Sequence, residues 1–153
     1  MATIDLPNNI LEALSTVLQQ LQQSLPKIKQ APDFSAIAFK WENGELKAIH
    51  QLKRIELNDL KGIERQKEKV LQNTEQFLNG LPANDVLLTG SRGTGKSSIV
   101  RALLTEYADQ GLRLIEIERD DLSELPEIQK LIAERPEKFI VYCDDLAFNA
   151  EDE

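Results

Sequence analysis

The residues of this sequence whose types and spacing could do chemistry are concentrated in one glycine-rich stretch. It reads Gly90, Ser91, Arg92, Gly93, Thr94, Gly95, Lys96, Ser97 and Ser98. Glycines let a backbone curl so that successive N–H groups and the start of a helix converge on phosphate oxygens. Lys96 would reach the β- and γ-phosphates, and the Ser97 hydroxyl would contact Mg²⁺, which favours oxygen ligands. The stretch predicts a nucleoside triphosphate site, with Lys96 as a catalytic group and Ser97 as a metal ligand.

The sequence around this stretch decides whether it is more than an ordinary glycine-rich turn. A short apolar strand is predicted from Asp85 to Thr89, directly before the first glycine. A helix is predicted from Gly95 to about Asp109, because apolar residues recur there at helical spacing. They are Ile99, Val100, Leu103, Leu104 and Tyr107. A strand, a glycine-rich loop and a helix in this order are the context that a phosphate-binding loop requires.

Two adjacent acids follow a second apolar run near the end of the sequence. The run from Phe139 to Cys143 precedes Asp144 and Asp145. Its apolar character is typical of a parallel strand buried on both faces, and ligands collect at the carboxyl ends of such strands. We predict that Asp144 holds the water shell of Mg²⁺ and that Asp145 orients or deprotonates the attacking water. A capped turn after a buried strand is the alternative interpretation of the pair.

The elements that must position these residues alternate between helix and strand. We predict a helix from Ile63 to about Leu78, a strand from Leu112 to Glu118, a helix from Pro126 to about Ala133 and a strand from Lys138 to Cys143. This alternation is typical of a parallel sheet with helices packed on it, so the predicted fold class is α/β, and the glycine-rich loop makes it a parallel-sheet P-loop NTPase core.

A different pattern precedes this core. Apolar residues from Ile10 to Leu25 recur at helical spacing and predict an amphipathic helix, which could pack in a core or bind a partner. Asn43-Gly44 between alternating segments predicts a β-hairpin, with Ile37, Phe39 and Trp41 on one face. We interpret Trp41 as a core or interface aromatic. The predicted domains are residues 1–55, a helix and hairpin region, and residues 56–153, which contain the glycine-rich loop and the acidic pair.

Composition limits the possible partners. The 153 residues carry a formal net charge of -8, with 41% hydrophobic and 29% charged residues. These values are typical of a folded globular chain and argue against a broad nucleic-acid-binding or membrane-binding surface. Cys143 is the one cysteine, so an intrachain disulfide is impossible and a reducing, cytoplasmic setting fits. We interpret Cys143 as a small buried hydrophobe and the one histidine, His50, as structural.

The sequence resembles the AAA+ class of P-loop ATPases in three segments: Leu57 to Ile63, the glycine-rich loop, and Asp144 to Phe148. More narrowly, the chain is similar to a bacterial family of predicted ATP-binding proteins known mainly as a domain of unknown function. The resemblance implies that Ile63 lies against the adenine base. AAA+ proteins usually carry glutamate where Asp145 stands, one methylene longer, and similar Asp-Asp pairs occur in some helicase-loader relatives.

The resemblance also sets an expectation about completeness. In AAA+ proteins, the strand between the phosphate-loop strand and the strand before the acidic pair comes later in the sequence. We therefore expect this chain to be the N-terminal part of a longer ATPase, without sensor and lid elements. The resemblance thus implies that the P-loop NTPase core is incomplete and that residues 56–153 are the N-terminal part of an AAA+-like ATPase domain. Neighbouring parallel strands lie about 4.8 Å apart. Omission of the middle strand thus predicts either a gap beside residues 85–89 or direct pairing of residues 86–88 with residues 140–142.

The leading functional hypothesis is an Mg²⁺-dependent ATPase whose nucleotide cycle acts on a protein partner or on a homo-oligomer. The alternative is an interaction module that binds ATP as a switch without hydrolysing it. A small-molecule kinase is a third hypothesis, disfavoured because a second acid serves to activate water. No Asn-Lys-x-Asp string follows the loop, so ATP is favoured over GTP.

Overall fold

The structure is a computed structural model of the chain and describes residues 7–24, 31–91 and 93–144. The chain divides into two compact units, residues 1–31 and residues 32–153. The first unit contains helix α1, Asn8–Ser24. Its apolar stripe is exposed, including Ile10, Leu14 and Leu21. The predicted amphipathic helix is thus confirmed, while Leu25 lies outside the described residues.

The second unit is built on a four-stranded sheet. Its strands are β1 (Ala38–Glu42), β2 (Glu45–Ile49), β3 (Leu112–Ile117) and β4 (Lys138–Cys143), in the order β2-β1-β3-β4. β1 pairs antiparallel with β2 and parallel with β3, and β3 pairs parallel with β4. The predicted α/β class is confirmed, and the mostly parallel sheet is compatible with an incomplete P-loop NTPase core.

The β1-β2 hairpin turns at the predicted dipeptide. Asn43 has φ 55° and Gly44 has φ 72°. The two-residue turn whose twist matches that of paired strands requires positive φ at both central residues. Asn and Gly adopt positive φ readily, which explains their preference in this turn. The hairpin joins the same sheet as β3, since Phe39 lies opposite Ile115.

Three helices flank the sheet: α2 (Glu64–Leu78), α3 (Lys96–Tyr107) and α4 (Leu125–Ile132). Short 3₁₀ helices span Leu57–Asp59, Ala108–Gln110 and Arg119–Glu124. Because strand side chains alternate between faces, β3 contributes to two cores. Leu112 and Leu114 pack with α2 and α3, while Ile115 and Ile117 pack with Ile128 of α4.

The second core contains the single tryptophan. Trp41 is 2% exposed, and its Nε1 donates a hydrogen bond to Oε2 of Glu124 at 2.7 Å. The interpretation of Trp41 as a core aromatic is confirmed. The expected shared face is wrong for Ile37, which packs against the α3 core while Phe39 and Trp41 lie in the other. Strand β1 begins at Ala38, so the alternation of a strand does not extend to Ile37.

The predicted strand from Asp85 to Thr89 is wrong: these residues form no strand. Val86 and Leu87 are 49% and 64% exposed. In the described part of the chain the sheet ends at β4, and residues 86–88 are not paired with residues 140–142. An extended segment is held as a strand by hydrogen bonds to a neighbouring strand. Without such a neighbour, the apolar residues of this segment do not produce one.

Candidate functional site

The glycine-rich loop leads directly into α3. Gly95, which precedes the first helical residue, has φ 87°, and Gly90 has φ 145°. A Cβ atom on Gly90 would lie 3.1 Å from Oγ1 of Thr94. Glycine at position 90 therefore permits both the positive φ of the backbone and the close approach of Thr94 to this position.

Side chains within the loop bind its backbone. Oγ1 of Thr94 donates to the carbonyl oxygen of Ser91 at 2.8 Å. Nζ of Lys96 donates to the carbonyl oxygens of Gly90 and Ser91 at 2.8 and 3.0 Å. An ammonium has three N–H donors, and these contacts use two of them. The Lys96 ammonium group thus lies against the backbone of the loop.

The loop meets the acidic end of β4 at Ser97. Oγ of Ser97 donates a hydrogen bond to Oδ2 of Asp144 at 2.8 Å, although the two residues are 47 positions apart. The Tyr142 hydroxyl donates to the same Ser97 oxygen at 3.0 Å. Burial raises the pKa of Tyr142 to about 12; the hydrogen bond with Ser97 opposes this rise, and the hydrogen bond and charge of Asp144 add to it. The phenol therefore keeps its proton at neutral pH.

Helix and strand periodicity explain this approach. Ser97, Arg101 and Leu104 are spaced so that they share one face of α3. Leu104 is buried, so that face points into the core. Along β4, alternate residues point to opposite faces, and Tyr142 packs against the α3 core. Asp144 follows at the carboxyl end of the strand, where Ser97 begins the helix.

A cleft of about 230 Å³ lies beside this contact. Its lining residues are Lys40, Arg101, Glu116, Ile117, Glu118, Arg119, Tyr142 and Asp144. Nζ of Lys40 lies 2.8 Å from Oε1 of Glu118, and a terminal guanidinium nitrogen of Arg101 lies 3.5 Å from Oε1 of Glu116. The cleft therefore contains paired charges of both signs. Sequence reasoning missed Arg101 and Tyr142. Their positions, one helical turn after Ser97 and two residues before Asp144, are the signals that could have identified them.

Ile63 lies next to the loop from another direction. It directly precedes α2, after Gly62 with φ 76°. Its Cδ1 atom would lie 3.6 Å from a Cβ on Gly95. Nζ of Lys67, in α2, donates to the carbonyl oxygen of Leu57 at 2.9 Å. This bond connects α2 to the segment that precedes it. The structure thus brings together Ile63, the described loop residues, Ser97 and Asp144.

Other predicted site residues fall elsewhere. Arg92 and Asp145 lie outside the described residues. Ser98 lies in the first turn of α3 and is half-buried. Cys143 is half-buried, and burial raises the pKa of its thiol, which disfavours the reactive thiolate. His50 is exposed, with Nε2 at 3.5 Å from Oδ2 of Asp33.

The donor set of the site fits Mg²⁺. Ser97 and Asp144 supply a hydroxyl and a carboxylate, both oxygen donors of the kind that this cation prefers. In residues 7–24, 31–91 and 93–144, no group of three or more His, Cys, Asp or Glu side chains could hold a metal ion. Mg²⁺ at phosphate sites is usually bound by one or two protein groups together with substrate phosphates and water. A small protein ligand set therefore agrees with this metal.

The following findings concern the similarity of the chain to known proteins and the length of its helices. A 52-residue segment is 36% identical to the replication factor C large subunit of Methanococcus maripaludis (strain C7), covering 34% of this chain and 11% of that protein. The chain thus matches about a tenth of the length of this relative. No solved structure matches the chain. No helix of its described part is long and apolar enough to cross a membrane. The family model described as "Protein of unknown function (DUF815)" matches residues 34–153, and the chain therefore belongs to the DUF815 family.

Proposed function

We propose that this chain binds ATP with Mg²⁺ and belongs to an AAA+-like ATPase that acts on a protein partner or on its own assembly. The observation that carries the proposal is the hydrogen bond of 2.8 Å between Ser97 and Asp144. An ordinary glycine-rich turn has no need of a carboxylate from a residue 47 positions away. A phosphate loop does, because the hydroxyl and the carboxylate flank the place where Mg²⁺ would bind.

Each residue of the site has a distinct role in this proposal. Backbone N–H groups of the loop, residues 90–98, bind the phosphates, and Lys96 neutralises their charge. Ser97 and Asp144 hold Mg²⁺, which when bound supplies further neutralisation of phosphate charge. Asp145 orients or deprotonates the attacking water, and Ile63 contacts adenine.

The comparisons support the class of protein rather than its partner. The local similarity to a replication factor C large subunit agrees with the AAA+ relationship that the loop and the acidic pair indicate. AAA+-like assembly predicts an oligomer that changes with nucleotide. Light scattering after size-exclusion chromatography, with and without ATP, measures this directly. An unchanged monomer at saturating ATP would count against self-assembly and leave a separate protein partner as the proposal.

The central test of nucleotide binding is Lys96→Ala. Charged hydrogen bonds contribute about 1.5–3 kcal/mol, so we expect the dissociation constant for Mg²⁺-ATP to rise about ten- to hundredfold. Isothermal titration measures it. Lys130→Ala is the matched control, because Lys130 is an exposed lysine on α4 whose Nζ pairs with Glu127. Equal affinity of folded Lys96→Ala and the wild-type protein would remove Lys96 from the site.

Asp145→Asn separates hydrolysis from binding. The amide preserves the shape of the carboxylate but cannot accept a proton from water. We expect unchanged ATP affinity and slower phosphate release, measured in multiple-turnover assays with and without added partner. Equal turnover by both proteins would refute the role of Asp145. ATP binding by the wild-type protein without any turnover would favour the non-hydrolysing interaction module.

A further inference from the structure

We propose that Tyr142 is a positioning residue for the Mg²⁺ site. Its hydroxyl orients the Ser97 hydroxyl so that one lone pair of the serine oxygen faces the metal. This inference rests on the proposed function and adds a residue to that site. The contacts that motivate it are two hydrogen bonds at one oxygen atom. Tyr142 donates to Oγ of Ser97 at 3.0 Å, and Oγ donates to Asp144 at 2.8 Å.

The argument follows from the bonding capacity of a hydroxyl group. A serine hydroxyl has one hydrogen and two lone pairs, and it rotates freely unless partners restrain it. In this structure the hydrogen is directed to Asp144, and one lone pair accepts the hydrogen of Tyr142. Contacts with the described residues leave one lone pair of this oxygen, and its direction is set by the other two bonds. Tyr142 therefore preorganises Ser97 as a metal ligand without touching the metal.

Packing alone does not explain a tyrosine at position 142. The ring packs against the α3 core, and a phenylalanine would supply the same ring. The difference between the two residues is the hydroxyl, which lies on Ser97. The other tyrosine, Tyr107, gives the contrast within the same core. Its hydroxyl donates to Oε1 of Glu75 on α2 at 2.7 Å, away from the loop.

A competing arrangement has the Tyr142 hydroxyl acting on Asp144 directly. A hydrogen bond between Tyr142 and Asp144 raises the pKa of the phenol, so the carboxylate can accept the phenol hydrogen itself. In that case removal of the Ser97 hydroxyl would leave the effect of Tyr142 intact. In the proposed arrangement the effect of Tyr142 passes through Ser97 and disappears with it. The two arrangements therefore predict different double-mutant cycles.

The experiment measures how strongly Mg²⁺ strengthens ATP binding. Isothermal titration gives the ATP dissociation constant in EDTA and in Mg²⁺, and their ratio is the Mg²⁺ coupling. For Tyr142→Phe we expect the coupling to fall about three- to tenfold, the size of one hydrogen bond, while affinity in EDTA is unchanged. Tyr107→Phe deletes the hydroxyl oxygen of the other tyrosine and should leave the coupling unchanged.

Two further measurements complete the test. In the Ser97→Ala background, Tyr142→Phe should have no further effect on the coupling; a persisting effect would overturn the role through Ser97. In the wild-type chain labelled with 3-fluorotyrosine, Mg²⁺ added to the ATP complex should shift the ¹⁹F resonance of Tyr142 and not that of Tyr107. This measurement does not depend on the folding of Tyr142→Phe.

The outcomes separate this inference from the proposed function. If the wild-type chain binds ATP with Mg²⁺ coupling that Tyr142→Phe preserves, the role of Tyr142 is refuted and the ATP site stands. An unmoved ¹⁹F resonance of Tyr142 in a Mg²⁺-responsive complex would refute it as well. If the wild-type chain binds no ATP in either buffer, the proposed function fails, and the inference fails with it.

Discussion

The close approach at Gly90 predicts that its replacement by alanine is more costly than the same change at Gly93. Both glycines have positive φ, 145° at Gly90 and 83° at Gly93. A Cβ on Gly93 would meet nothing within 4 Å, whereas a Cβ on Gly90 would lie 3.1 Å from Oγ1 of Thr94. Gly93→Ala thus introduces backbone strain alone, while Gly90→Ala introduces strain and a steric contact.

The expected magnitudes follow from these two differences. Alanine in the left-handed region costs about 1–2 kcal/mol, which is the full expected cost at Gly93. At Gly90 a conformation used mainly by glycine costs about 1–3 kcal/mol. The displaced Thr94 hydroxyl would also lose its bond to the Ser91 carbonyl, about 1 kcal/mol. Gly90→Ala should therefore cost about 1–2 kcal/mol more than Gly93→Ala.

Denaturant unfolding and ATP titration measure where this cost is expressed. If the loop keeps its native shape in the absence of ATP, the cost of the substitution lowers the free energy of unfolding. A loop that relaxes when empty expresses it in ATP affinity, which should then be about tenfold weaker in Gly90→Ala than in Gly93→Ala. Equal values for the two variants in both measurements would refute the reasoning, because the Thr94 contact would then have no energetic consequence.

Two predictions concern the rest of the fold. Burial and, to a smaller extent, the hydrogen bond to Glu75 raise the pKa of Tyr107 from 10.0 to about 12. The variant Tyr142→Phe keeps Tyr107 as its one tyrosine. The absorbance of its phenolate should appear near pH 12 in the folded protein and near pH 10 in denaturant. Since the folded state then keeps a proton that the unfolded state loses, this contribution to stability is complete below pH 10 and is lost between pH 10 and 12; a titration near pH 10 in the folded protein would contradict it. Leu87→Ala should change the free energy of unfolding by less than about 0.5 kcal/mol, because Leu87 is 64% exposed. The matched change Leu103→Ala, at a residue 2% exposed, should cost about 2–5 kcal/mol, and similar values for both would mean that Leu87 is buried in solution.

Local patterns in the sequence were sufficient for the features that depend on neighbouring residues. The Asn43-Gly44 turn follows from the positive φ that its strands require. Helix α3 follows from the spacing of its apolar residues, and β4 was predicted with the bounds that the structure has, Lys138–Cys143. In each case the information lies within a few residues of the element, so periodicity and turn chemistry carry it.

The tertiary structure decided what depends on residues far apart in the chain. Residues 85–89 have an apolar strand pattern, yet the described sheet offers them no hydrogen-bonded neighbour, and they form no strand. In the sequence, Tyr142 is one member of the apolar run that predicted β4. The two motifs predicted that Ser97 and Asp144 share one metal site, but the packing of α3 on the sheet is what places the Tyr142 hydroxyl 3.0 Å from Oγ of Ser97. Strand pairing and side-chain contacts between distant segments are properties of the assembled fold, and no local pattern in the sequence encodes their distances.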